Sequence, residues 1–208
     1  MRGGPGRVRL GLMKRLFSAM TMVVAVGVAP AQAQSPQQAP QGHPQAAQQG
    51  SSEAGGIAWT APSGWEAQGT RPMRVATYRI APAKGDTDAA ELAIFYFGAG
   101  QGGAVDANVK RWLSQFQKAD GAPISEKDAR TKKETLNGLS VTTVDVKGTY
   151  TGGGPMMGPS APKPGYRLLG AIVEGPEGAI FFKLTGPERT VASAEKGFRK
   201  LLESVKKK

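Results

Sequence analysis

Catalysis in proteins draws on few side-chain types, and this chain of 208 residues is short of two of them. It has no cysteine and one histidine, His43. Thiolate nucleophiles, zinc–thiolate sites and disulfides are therefore excluded, and no site built on several histidines can form. A Ser-His-Asp triad would have to use His43. No G-x-S-x-G or H-E-x-x-H pattern is present. Carboxylates remain as candidates. Glu91 opens an apolar run and Asp145 lies in a β-favouring one. Such a pair hydrolyses glycosidic bonds only when its carboxyls face each other at about 5 to 9.5 Å.

Gly98, Gly100 and Gly103 form a literal G-x-G-x-x-G between a predicted strand and a predicted helix. In a nucleotide site these glycines let the backbone approach a pyrophosphate at a helix N-terminus. Here no second strand ending in a ribose-binding acid follows, so the motif reads as a turn, with a small anion as its candidate ligand. Thr151–Gly165 packs five glycines and four prolines around Met156 and Met157. It reads as a surface insertion, and the two methionines are candidate partner contacts. Two adjacent thioethers do not make a metal site. Lys196, Arg199 and Lys200 are a candidate basic surface. No cofactor or metal is expected.

Around these residues the chain divides into four parts. Residues 1–33 read as a cleavable signal peptide. Arg2, Arg7, Arg9, Lys14 and Arg15 precede the apolar run Ala19–Ala29, and Ala31 and Ala33 place the cut before Gln34. The apolar run is too short to span a bilayer, so the mature chain is expected to lack a transmembrane segment. Met13 is an alternative start to Met1. Cleavage removes five of 27 basic residues and none of 16 acids, so the net charge falls from +11 to +6. Export and this modest charge argue against a nucleic-acid partner. Residues 34–56 are a Gln- and Pro-rich linker, expected to be disordered because no aliphatic residue in it is larger than alanine before Ile57. His43 lies there. Residues 57–205 form a single domain, and 206–208 are a basic tail.

Two stretches of this domain have helical spacing. Val105, Val109, Trp112, Leu113 and Phe116 form one stripe within Gly103–Lys118. Val191, Ala194, Phe198, Leu201, Leu202 and Val205 form another after Gly186-Pro187. Strands are predicted over Ile57–Ala61, Arg71–Ala81, Glu91–Phe97, Asp128–Leu136, Leu139–Tyr150, Tyr166–Glu174 and Ala179–Leu184. Asn137-Gly138 and Gly175–Gly178 are hairpin signals. The fold class is α+β: a mostly antiparallel sheet covered by helices on both faces, a three-layer α/β/α sandwich.

The order of these features brings a resemblance. A Pro-Ser-Gly-Trp turn, AELAIFYFG, the helix DANVKRWLSQF, an Asn-Gly hairpin, YRLLGAIVEGPEGAIFFKLTGP and a final FRKLLESV follow one another. The domain resembles the PsbP-like superfamily, whose fold is shared by a photosystem II extrinsic subunit, a Ran-binding nuclear-transport protein and bacterial exported or adaptor proteins. The resemblance implies binding and assembly rather than catalysis, and it transfers no functional residue.

The expected function is an exported, non-catalytic binding or assembly module of the bacterial cell envelope, secreted and periplasmic. Its expected partner is another envelope protein or an envelope polymer. Such a module predicts no deep polar cleft with converging titratable groups. The alternatives are a histidine-free envelope hydrolase acting on glycan, and an envelope-surface protein binding anionic lipid or polymer.

Overall fold

A computed structural model of the chain describes residues 52–69, 71–152 and 161–208. The main sheet has eight strands. They are β3 (Glu66–Ala67), β4 (Ala76–Ile80), β5 (Ala90–Tyr96), β6 (Phe116–Gln117), β7 (Arg130–Leu136), β8 (Leu139–Tyr150), β9 (Lys163–Gly175) and β10 (Gly178–Pro187). Their order is β3-β4-β5-β10-β9-β8-β6, and β7 also pairs with β8. Every one of these pairings is antiparallel. Both predicted hairpins form. Asn137 and Gly138 take φ of 51° and 73° between β7 and β8, the left-handed pair that a two-residue turn needs. Gly175 and Gly178 close the β9–β10 turn.

Two helices accompany the sheet, α1 (Val105–Leu113) and α2 (Glu188–Ser204). Side chains alternate across a strand, so each apolar strand feeds two cores. Leu169, Ala171 and Val173 of β9 pack with Val191, Phe198 and Leu202 of α2. Leu168 and Ile172, the alternate residues, pack with Val109, Trp112 and Leu113 of α1. Gly170 lies on the α1 side, where an added Cβ would sit 2.3 Å from the Trp112 ring. The missing side chain is what lets α1 approach the sheet.

The sheet is mostly antiparallel and carries two helices, as expected, and several other expectations change. α1 has nine residues and stops at Leu113. Phe116, read as the last residue of its stripe, instead starts β6 and pairs with Tyr150. It stays buried because the turn after the helix returns it to the same core. The strand predicted from Arg71 begins only at Ala76. Pro72 and Met73 (φ 63°) make a turn in which the Arg74 N–H donates to the Arg71 carbonyl. Ile57 does not join the main sheet. A small separate sheet pairs β2 (Ile57–Ala58) with β1 (Glu53–Ala54) and with β11 (Lys206–Lys207). Ordered structure thus begins ahead of Ile57, within the expected linker. The terminal lysines are a paired strand rather than a loose tail, and Lys208 meets Glu53 at 2.7 Å. Among the described residues no helix is long and apolar enough to cross a membrane.

Candidate functional site

The face that carries α1 is open at one end. Beyond the helix lies a cleft of about 280 Å³, lined by Arg74, Glu91, Phe95, Tyr150, Lys163, Tyr166, Lys183 and Thr185 among others. Strand alternation builds its floor. Lys183 of β10 is in register with Ala93 of β5, and Thr185 with Glu91, all pointing away from the α2 core. The turn at Pro72 sets one wall by bringing two arginines to one carboxylate. Arg71 reaches Glu91 at 3.1 Å and Arg74 reaches it at 2.7 Å, on different oxygens. The ends of β8 and β9 set the other wall, where the rings of Tyr150 and Tyr166 stack at 6.0 Å and 8°.

The charges are unevenly matched. Lys163 pairs with Asp88 at 3.3 Å, and the Tyr166 hydroxyl donates to the same carboxylate at 2.6 Å. Lys183 has no carboxylate within ion-pair distance among the described residues. Its ammonium donates to the Gln115 side-chain oxygen at 2.6 Å and lies 3.5 Å from the Tyr150 hydroxyl. Gln115 is held for this role, because its carbonyl accepts from both the backbone and the hydroxyl of Thr151. Burial, then the nearby Arg74, pushes the Lys183 ammonium down to about 8. Burial also raises the Tyr150 and Tyr166 hydroxyls, so both stay protonated at neutral pH. The Thr185 hydroxyl is buried with no hydrogen-bond partner among the described residues.

This cleft corrects the expectation that no polar cleft with converging titratable groups exists. Sequence reading placed Lys183 in the predicted strand Ala179–Leu184, otherwise an apolar run, and gave it no role. A lone cation inside that run was the available signal.

The residues singled out from sequence fare differently. Asp145 and Glu91 are not brought together. Asp145 is in register with Leu169 on the α2 side, whereas Glu91 alternates with Leu92 and points to the opposite side. Asp145 instead accepts from Nε and Nη2 of the buried Arg167, at 2.8 Å each, and Arg167 Nη1 donates to Glu195 of α2 at 2.8 Å. These acids hold the Arg167 guanidinium even further above its already high range. Among the described residues no group of three His, Cys, Asp or Glu is arranged to hold a metal.

Gly98, Gly100 and Gly103 all have positive φ and form a chain reversal. The buried Asn108 side chain ties it to the helix by donating to the carbonyls of Gly102 and Ala104, at 2.8 and 2.9 Å. Gly102 is the more demanding glycine, since a Cβ there would meet the Phe181 ring at 2.8 Å. Arg199 is engaged by Glu134 and by Glu203. Lys196 and Lys200 are exposed along a groove beside Pro62 and Trp65. Met156 and Met157, the cleavage residues Ala31, Ala33 and Gln34, and His43 lie outside the described residues.

No family model matches the chain, and no curated protein is similar to it. Solved structures do resemble it. They are PsbP-like. The cyanobacterial PsbP of Synechocystis is 14% identical with a TM-score of 0.45, covering 76% of this chain and 90% of its own. LpqN of Mycobacterium tuberculosis, described as involved in cell envelope biogenesis, is 12% identical with a TM-score of 0.46, covering 72% and 82%. A Pseudomonas aeruginosa protein described as a putative regulator of unknown function is 15% identical with a TM-score of 0.38, covering 62% and 78%. The likeness is one of fold alone, and no residue role is carried over from it.

Proposed function

We propose that the chain is an exported, non-catalytic binding module of the bacterial cell envelope, periplasmic in location, and that the open cleft on the α1 face is its binding site. One observation carries this reading. The cleft gathers fixed cations and aromatic rings around a single lining carboxylate, Glu91, whose two oxygens are both taken by arginines. Such a surface holds a ligand in place, and it lacks the second lining carboxylate that acid–base hydrolysis of a glycan uses. The signal-like residues 1–33 support export. With α1 and α2 contributing to separate cores, we read the architecture as an α/β/α sandwich left open at the cleft.

The test is site-specific photo-crosslinking in the envelope of the source organism. A crosslinker is placed at Phe95 in the cleft, with controls at Lys133 on β7 and at Lys200 on α2. The expected result is a discrete adduct from Phe95 that neither control gives. Adducts from Lys200 alone would favour the basic surface and overturn the assignment. Turnover of cell-wall glycan that disappears in Glu91→Gln would overturn the non-catalytic reading.

A further inference from the structure

We infer that the cleft takes a small organic molecule through an anionic oxygen group, a carboxylate or a phosphate. That group sits against Lys183 and Thr185, and the apolar remainder lies along Phe95, Tyr150 and Tyr166. The inference rests on the cleft being the binding site and adds the class of ligand.

Charge matching is the first support. Three cations line the cleft, Arg74, Lys163 and Lys183, with Arg71 beside them, and they are matched by Glu91 in the lining and Asp88 outside it. Both arginines share Glu91, and Lys163 has Asp88. Lys183 is left with neutral partners in a partly buried position, and a buried charge without a counter-ion is costly. An anion supplies that counter-ion. The second support is the Thr185 hydroxyl, which is buried and unpartnered two residues along the same face of β10. Side chains at i and i+2 of a strand stand about 6.6 Å apart, so one oxyanion reaches both. The third is size. A cleft of about 280 Å³ lies at the lower end of small-molecule sites, roughly 300 Å³, and suits a single ring or a short chain rather than a polymer.

The arrangement makes binding depend on pH. The groups facing Lys183 are Arg74, Glu91 on β5, Gln115 after α1, Tyr150 on β8, and Lys163 and Tyr166 on β9. Tyr150, Tyr166 and Lys163 are all shifted upward, away from the range between pH 7 and 9. Lys183, at about 8, is the group that loses its charge there. Anion affinity is therefore full well below pH 8, halves near it and falls by up to about tenfold per pH unit above it.

The experiment is a calorimetric and NMR titration of the mature chain with benzoate, phenyl phosphate and, as the neutral control, benzyl alcohol. Lys183 and tyrosine-ring signals are followed in the NMR arm. The expected result is that an anionic probe moves the Lys183 signal and benzyl alcohol does not. Which anion binds more tightly identifies the head group. Lys183→Met weakens binding at least tenfold and flattens its pH dependence, Thr185→Val weakens it several-fold, and Lys183→Arg retains part of it. Thermal melts establish that each variant is folded. The wild-type Lys183 signal tests the inference without any variant. Equal binding of benzyl alcohol, undiminished binding by folded Lys183→Met, or a Lys183 signal unmoved by every probe overturns it. If Lys183 does not move but the Phe95 adduct is captured, the anion inference fails and the binding-module reading stands. If both are absent, both fail.

Discussion

Two cations on adjacent strands, one buried and one partly buried, have opposite fates. Arg167 of β9 points to the α2 side and is 5% exposed. It is met by Asp145 from β8 and Glu195 from α2, so three elements converge on one guanidinium. Lys183 of β10 points to the α1 side and, among the described residues, finds an amide oxygen and a phenol but no carboxylate. The first arrangement is complete within the chain. The second is complete only when something else supplies a negative charge. The contrast separates a charge that holds the fold together from one kept available for binding.

Removing one partner from each site should have opposite effects on stability. Arg167→Met leaves Asp145 and Glu195 without their counter-ion and should cost about 3 kcal/mol in urea unfolding. A loss below about 1 kcal/mol would mean that the triad is no more than a surface pair. Gly170→Ala tests how α1 is seated beside Lys183. Its Cβ would collide with Trp112, so a loss of about 1–3 kcal/mol and a changed Trp112 fluorescence are expected.

Lys183→Met should instead stabilise the free protein at pH 7, by about 1–2 kcal/mol, while weakening anion binding. The sign follows from its lowered folded pKa. Between about 8 and the ordinary lysine value the unfolded chain holds more protons than the folded one. Wild-type stability therefore rises with pH across that window, and the advantage of Lys183→Met shrinks with it. Denaturant melts at pH 7 and pH 10 check this. A wild-type protein that loses stability relative to the variant as pH rises would reverse the comparison.

The smallest effect is expected at Glu134. Arg199, then Lys132, holds its carboxyl below the usual range, so its contribution is present at neutral pH and is lost as the pH falls through the lowered value. Arg199 is 43% exposed and solvent screens the pair, so Glu134→Gln should cost only about 0.5 kcal/mol at pH 7, a cost that shrinks as the pH falls.

Much of the fold was legible in the chain. The stripe of α2, the run Glu91–Phe97 and the Asn137-Gly138 turn are local patterns, and each formed where its period predicted. Phe116 shows the limit. Its spacing continues the α1 stripe, yet pairing with Tyr150, 34 residues away, draws it into a strand while keeping it in the same core. Asn137 shows another. Its turn role is local, but its side chain also donates to the carbonyls of Glu203 and Val205 at the end of α2, which no local pattern reveals. Of the candidate site little was legible. Tyr150, Lys163 and Lys183 come from separate strands, and Glu91 attracted notice only as half of an acid pair that does not form.

The sequence by itself determined which chemistries are absent. A chain without cysteine, whose one histidine lies ahead of the β-rich domain, offers that domain neither thiol nor imidazole. It also determined the periods, and so the helices and most strands. Tertiary structure alone decided which way each charge points. A slip of one residue in register would send Lys183 to the α2 side and Arg167 to the other. Register is set by pairings summed across the whole sheet, so no single stretch of sequence states that one cation meets two carboxylates and the other meets none.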